Sequence, residues 1–381
     1  MTQSERICNE IGSKFFCKDF VYENLKYYND KNNKVELCDG LFEYCGTYIA
    51  LQIKERNKSK STKTDEEWLN KVVYGDAVSQ IIETINGIQT NKISVNDLYH
   101  QPVTLENDYL IYSVIIFDNK NITEYKKVIE HDNIKINIFS LKDYTTMMET
   151  LTHPYDIISY LYIRLQNSIP KILISENTSS TILSIISSEQ DFAQSFSELI
   201  YHNNPKLKND SLQMLALIKR YKSTLIRNNP NYKKILKILQ MIKPEDSSSF
   251  IDRFWYAWKN ACDNKFDSTK NIMLQTENDN KRIGITFFSI GTEKFKNPRY
   301  YEILCDAKQL QNKLDIVLLI VFIGSGDNSC QIDWIYSEKE YVENEEMLQF
   351  YKEIGMYDGI IDRKLYEQLA DKLLYNNSSS L

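Results

Sequence analysis

Residues 47 to 54 alternate strictly. Ile49, Leu51 and Ile53 fall on one side of a period-two pattern, and Tyr48, Ala50, Gln52 and Lys54 fall on the other. This predicts a strand with two differently populated faces. Cys45-Gly46 just before it predicts a two-residue turn, because glycine tolerates positive φ. A turn centred there pairs Tyr44 with Thr47 and, counting outward, sets Asp39 opposite Gln52 in a hairpin over 35–55. Upstream, Ile7, Ile11 and Phe15 recur at i, i+4 and i+8 and predict a helix over 5–16. The aromatic-rich stretch 20–28 reads as a strand ending at the turn 29–33. Downstream, Thr64-Asp-Glu-Glu67 is a capping-box pattern. It heads a helix to about Gln89, whose Leu69, Val72, Val73, Ala77, Ile81, Ile85 and Ile88 keep helical period. The unbroken apolar run 109–117 predicts a strand buried on both faces, and 134–139 predicts another. Residues 143–167 read as one or two helices around His153-Pro154, where proline suits a first turn.

Beyond this region the pattern changes. Residues 175–243 are largely helical, a break is expected at 244–249, and 250–262 resumes as an aromatic helix containing Trp255 and Trp258. A strand at 282–291, a helix at 299–312, a strand at 315–324 and a further strand at 331–336 suggest a second, smaller α/β unit. The expected organisation is a mixed α/β domain over 1–167, a helical basic region over 168–243 and an α/β domain over 244–381.

Composition narrows the function classes. With 381 residues, two or three domains are expected. The longest hydrophobic run, 316–323, is strand-sized, so no membrane partner is expected. Met-Thr-Gln-Ser-Glu-Arg at the start has no apolar signal region, and a cytoplasmic location follows as the expectation. The seven cysteines include no Cys-x-x-Cys, which argues against a disulfide framework or zinc ribbon. The four histidines, 100, 131, 153 and 202, are scattered, which argues against histidine–metal nucleases and histidine triads. Carboxylates and lysines must carry any catalysis. Net charge is −6, yet 206–243 holds eight Lys and two Arg against Asp210, or +9, leaving −15 elsewhere. Lys219, Arg220, Lys222, Arg227, Lys233, Lys234 and Lys237 are expected either to form a solvated helix face or, with a nuclease site upstream, to contact phosphates without reading sequence. The expected partner is nucleic acid, DNA before RNA.

Asp39, Gln52 and Lys54 bring an acid, an amide oxygen and a lysine to one end of a sheet. That is a minimal set for holding a divalent cation and hydrolysing a phosphodiester. Helix, three strands, helix and strand, with Glu10 on the first helix, Asp39 on the second strand and Gln52-x-Lys54 on the third, resembles the PD-(D/E)xK nuclease superfamily over roughly 1–140. Gln-x-Lys is similar to the Mrr-like restriction endonuclease branch. Cys38 replaces the usual proline, and Gln52 stands where an acid is more common. The resemblance implies a restriction-endonuclease-like α/β core with a mixed sheet and a Mg²⁺- or Mn²⁺-dependent nuclease. Its catalytic residues would be Glu10, Asp39, Gln52 and Lys54, and its metal ligands Glu10, Asp39, Gln52 and the carbonyl of Ile53. It also implies defence against foreign DNA, as a homo-oligomer or with a partner subunit. Mg²⁺ wants hard oxygens and keeps several waters. Lys54 would orient or help deprotonate the attacking water and offset developing charge. The alternative is a non-catalytic nucleic-acid-binding or assembly subunit that keeps the fold. Glu43 is expected to be a solvated charge. Lys71 and Gln80 are expected on a helix surface, with a place near the metal as the alternative. The acidic stretch 338–346 is expected to be solvated, or to mask the basic segment.

Overall fold

The computed structural model describes residues 2–16, 18–28, 34–56, 63–90, 93–97, 102–151, 153–166, 188–202, 204–276, 280–290, 298–325, 329–353 and 364. The chain divides into two units, 1–208 and 209–381. Of the expected helical region 168–243, residues 168–187 lie outside the described residues, 188–208 fall in the first unit and 209–243 in the second. The turn 29–33 also lies outside the described residues.

In the first unit, α1 (Gln3–Phe15) starts at a capping box in which the Thr2 hydroxyl accepts from the Glu5 N–H and the Glu5 carboxylate accepts from the Thr2 N–H. Three antiparallel strands follow: β1 (Val21–Tyr28), β2 (Lys34–Tyr44) and β3 (Thr47–Glu55). A continuous helical run, α2, then covers Asp65–Trp68, Leu69–Ala77 and Val78–Thr90. The capping box at Thr64 forms as expected. The middle segment, however, is π-helical, a wider coil than the periodicity suggested and one that is rare outside single turns. Two short strands, β4 (Ser94–Asn96) and β5 (Pro102–Thr104), pair with each other. β6 (Leu110–Asp118) lies parallel to β3, β8 (Ile134–Ser140) lies parallel to β6, and β7 (Val128–His131) closes the edge antiparallel to β8. The result is a six-stranded mixed sheet in the order β1-β2-β3-β6-β8-β7. Residues 143–167 resolve into two helices, α3 (Leu141–Thr150) and α4 (Pro154–Leu165), with His153 as the N-cap of the second. α5 (Glu189–Ile200) follows.

The alternation of β3 decides the layering. Ile49, Leu51 and Ile53 join the core formed with Cys8 and Ile11 of α1 and with side chains of α3, α4 and α5. Tyr48 and Ala50 join the core formed with Trp68, Leu69, Val73, Ala77 and Ile81 of α2. Helices therefore cover both faces of the sheet. β6 is buried on both faces, as its unbroken apolar run requires.

In the second unit the expected break at 244–249 is instead the first turn of a helix, Pro244–Cys262, with proline at its start. Its Phe250 and Phe254 meet Phe287 and Phe322 of the sheet edge to face, at 5.1 and 4.9 Å. The sheet runs β10 (Ile272–Gln275), β11 (Arg282–Ile290), β12 (Ile316–Gly324), β13 (Cys330–Glu338), and β9 (Asp267–Ser268) also pairs with β11. β11 and β12 are parallel and are joined through the helix Pro298–Asn312, which packs on the opposite face. Among the described residues no helix is long and apolar enough to cross a membrane.

Candidate functional site

The hairpin forms in the expected register. Cys45 and Gly46 have φ of 45° and 75°, both left-handed, and Tyr44 pairs with Thr47. The β2–β3 ladder runs to Gly40↔Leu51, which leaves Asp39 beside Gln52. There the Asp39 side chain replaces the ladder: its Oδ2 accepts the Ile53 N–H at 2.6 Å. The carboxylate is thus held against the backbone between Gln52 and Lys54. Gln52 is buried, Lys54 is half-buried, and by alternation both side chains lie on the α2 side of the sheet with Tyr48 and Ala50. Lys54 has no ion pair among the described residues, which keeps a cation at this end of the sheet.

The first helix corrects one expectation. Glu10 is not directed at the hairpin. Its side chain is 67% exposed and lies 3.8 Å from Arg6 one turn back. The helix turns Ser4, Cys8, Asn9, Ile11 and Gly12 to the interior, and Glu10 falls on the opposite side of that stripe. The polar side chain that α1 does deliver is Asn9. It is 2% exposed, and among the described residues neither its Oδ1 nor its Nδ2 has a hydrogen-bond partner. Asn9 sits against Gly40, the residue after Asp39: a Cβ placed on Gly40 would lie 2.7 Å from Asn9 Oδ1. Only glycine allows α1 to come this close to β2 beside the candidate acid.

Two further acids at this end of the sheet are engaged elsewhere. The Ser4 hydroxyl lies 2.9 Å from a Glu55 oxygen and 3.0 Å from an Asp118 oxygen, and the Ser4 N–H donates to Glu55 at 3.2 Å. The N-terminal turn of α1, with its unpaired N–H groups and positive dipole end, is thereby pinned to the ends of β3 and β6. The Cys8 thiol is pushed up to about 12, by burial first and then by the carboxylates of Asp118, Asp39 and Glu5. It is an inert filler rather than a nucleophile.

Glu43 is also corrected. It is 4% exposed, and the Tyr22 hydroxyl donates to it at 2.6 Å. Burial, followed by the Glu43 charge, pushes the Tyr22 phenol up. Lys71 and Gln80 lie exposed on α2, as the surface reading expected.

The donor set can be tested against a hard divalent cation. Asp39 supplies one carboxylate and Gln52, on the α2 side of the sheet, an amide oxygen, whereas the buried Asn9 amide lies on the α1 side with Gly40 and Leu51 and is separated from Gln52 by the sheet. One carboxylate plus a neutral oxygen suits a cation that keeps several waters and completes its shell with substrate phosphate. The set does not suit a tightly bound resident ion. Among the described residues no group of three or more His, Cys, Asp or Glu is arranged to hold a metal.

In the basic segment, Lys219, Arg220, Lys234 and Lys237 are exposed and Lys233 is half-buried, while nothing is described for the side chains of Lys222 and Arg227. Lys234 does not project free into solvent. It meets Glu338 at 2.8 Å and lies over the Tyr336 ring at 5.1 Å, and Lys281 meets the other Glu338 oxygen at 2.8 Å. The Glu338 carboxyl is held at about 2 by the hydrogen bonds from Lys234, Lys281 and Tyr336. Part of the acidic stretch thus covers part of the basic one. Asn9, Ser4 and the Glu338 clamp were not singled out from sequence. The one available signal was Asn9, a polar residue set between Cys8 and Ile11 on an apolar helical face. No protein-family description, no curated protein and no solved structure matches this chain significantly.

Proposed function

We propose that the first unit is a metal-dependent nuclease of the PD-(D/E)xK type, acting on the phosphodiester bonds of nucleic acid, DNA before RNA. The observation that carries this reading is the Asp39 carboxylate fixed on the Ile53 N–H between Gln52 and Lys54. Topology supports it: a helix, an antiparallel three-strand meander, a helix and a strand parallel to the third, with helices on both faces. Bound Mg²⁺ or Mn²⁺ would polarise the scissile phosphate and lower the pKa of water. Asp39 is the charged ligand in this reading, with Gln52 as a neutral oxygen. Lys54 orients the attacking water and offsets charge that develops on the phosphate.

The single carboxylate favours the second reading, a nucleic-acid-binding subunit that keeps the fold without cleaving. Cleavage of plasmid and single-stranded substrates in Mg²⁺ and Mn²⁺ separates the two. Asp39→Ala and Lys54→Ala should each lose about 10²-fold or more, and Glu10→Ala should be near wild type. Equal activity in wild type, Asp39→Ala and Lys54→Ala, or none in any across both metals, would sink the catalytic reading.

A further inference from the structure

We propose that Cys262 and Cys330 form an oxidisable thiol pair, a modification site at which a hydroperoxide installs a disulfide across one end of the second unit's sheet. Cys262 ends the helix Pro244–Cys262 and Cys330 begins β13. Both are half-buried, and neither is in a disulfide. The Cys262 side chain is close enough to help raise the Cys330 thiol, and the Trp258 indole, one helical turn before Cys262, is close enough to act on the same thiol in the opposite direction.

The backbone brings them together independently of the side chains. Gly324 pairs with Cys330 across β12 and β13. A Cβ placed on Gly324 would lie 2.1 Å from the carbonyl oxygen of Ala261, the residue before Cys262. The helix end therefore lies directly on the end of the strand pair, and only glycine at 324 permits it. A disulfide needs Cβ atoms within about 3.5–4.5 Å. With Cys262 next to Ala261 at this contact and Cys330 paired with Gly324, rotation about χ1 and a small approach bring the two thiols to that distance. Cys8 and Cys305, by contrast, are buried and pushed up to about 12, largely by burial.

The roles of the two sulfurs differ. The Cys330 thiol is pushed up to about 12, by burial first and then by Cys262, so it keeps its proton at neutral pH. The attack on the peroxide is then assigned to Cys262. Its sulfur takes the terminal oxygen of hydrogen peroxide: an S–O bond forms, the O–O bond breaks, and hydroxide leaves to become water. Cys330 sulfur next attacks the sulfenic sulfur of Cys262. The S–S bond forms, the S–O bond breaks, and the departing hydroxide takes the Cys330 proton as a second water. In sum, two thiols and one hydrogen peroxide give one disulfide and two waters. The sulfurs lose two electrons and the peroxide oxygens gain them. The bond ties the helix to β13 and encloses β9 to β12 in one covalent loop.

Peptide mapping of the full-length protein under non-reducing conditions tests this directly, after brief exposure to hydrogen peroxide without denaturant. The expected product joins the Cys262 and Cys330 peptides, is lighter by two hydrogens and is reversed by dithiothreitol. Trp258 fluorescence should fall on oxidation and recover on reduction. Cys330→Ser should leave Cys262 as a sulfenic acid that dimedone traps, and Cys262→Ser should leave residue 330 as a thiol. A different cysteine partner in the wild-type map, further oxidation of Cys262 without cross-linking, or unmodified Cys262 and Cys330 while other thiols react, would each overturn the proposal. The wild-type map decides even if a variant fails to fold.

Discussion

Glu189→Ala is the sharpest test of how the first unit is held together. Arg164 of α4 and Glu189, the first residue of α5, have side chains only 1% and 5% exposed. The guanidinium Nε donates to Glu189 at 2.9 Å and a terminal nitrogen to its other oxygen at 3.4 Å. Tyr160 donates to the same carboxylate at 2.5 Å. Removing one partner of a buried pair costs about 3–5 kcal/mol, because the other charge stays buried without its counter-ion. Here the guanidinium keeps other partners: Asn137 Oδ1 at 3.1 Å, the Ile138 carbonyl at 2.8 Å, the Lys127 carbonyl, and the Phe139 ring 3.9 Å beneath it. These place the expected loss at the lower end, about 3 kcal/mol, or roughly 100-fold in an opening equilibrium. Hydrogen exchange of the full-length protein should therefore show α5 and α4 opening about 100-fold more often. Replacing the pair together, Arg164→Met with Glu189→Leu, should restore part of the protection, since no lone charge is left buried. Unchanged exchange in Glu189→Ala, or a double variant worse than the single, would refute this account.

Three further outcomes are expected. His153 is held down at about 3 by burial, with its Nδ1 accepting the Tyr155 N–H, its backbone N–H donating to Asp156, and the Tyr44 ring against it. The unfolded histidine titrates near 6.5, so between about 6.5 and 3 the unfolded state binds a proton that the folded state refuses. Stability then falls with falling pH by up to about 1.4 kcal/mol per unit; His153→Asn, which can still cap the helix, should flatten that slope in urea melts, and an unchanged slope would contradict the assignment. Gly40→Ala should force Asn9 and α1 off β2 and cost about 1–3 kcal/mol, read as a lower urea midpoint; a neutral result would mean the helix seats more loosely than the 2.7 Å approach implies. Glu338→Gln should release Lys234 and Lys281 and, if the basic helix meets phosphates, steepen the salt dependence of DNA retention by about one to two units of slope; identical titrations by fluorescence anisotropy would return that segment to a structural role.

Sequence alone determined what local chemistry controls. The alternation of 47–54, the Cys45-Gly46 turn, the Thr64 capping box and the His153-Pro154 helix start each depend on residues within a few positions, and each formed as read. Strand register is arithmetic once the turn is fixed, which is why counting outward from Cys45-Gly46 is enough to set Asp39 beside Gln52. Tertiary structure decided what depends on partners far along the chain. Glu10 and Asn9 are neighbours in sequence, but helical geometry gives them opposite surroundings, and the seating of α1 on Gly40 chose Asn9. Glu43 looked like a solvated charge until burial beside the Tyr22 hydroxyl gave it a partner. The π-helical turn in α2, the Arg164–Glu189 pair across a gap in the described chain, the Glu338 clamp on Lys234 and the contact between Cys262 and Cys330 leave no periodic trace. A hydrophobic pattern records which face of an element is buried. It does not record which side chain of another element will be waiting there, and charges, amides and thiols take their chemistry from that neighbour.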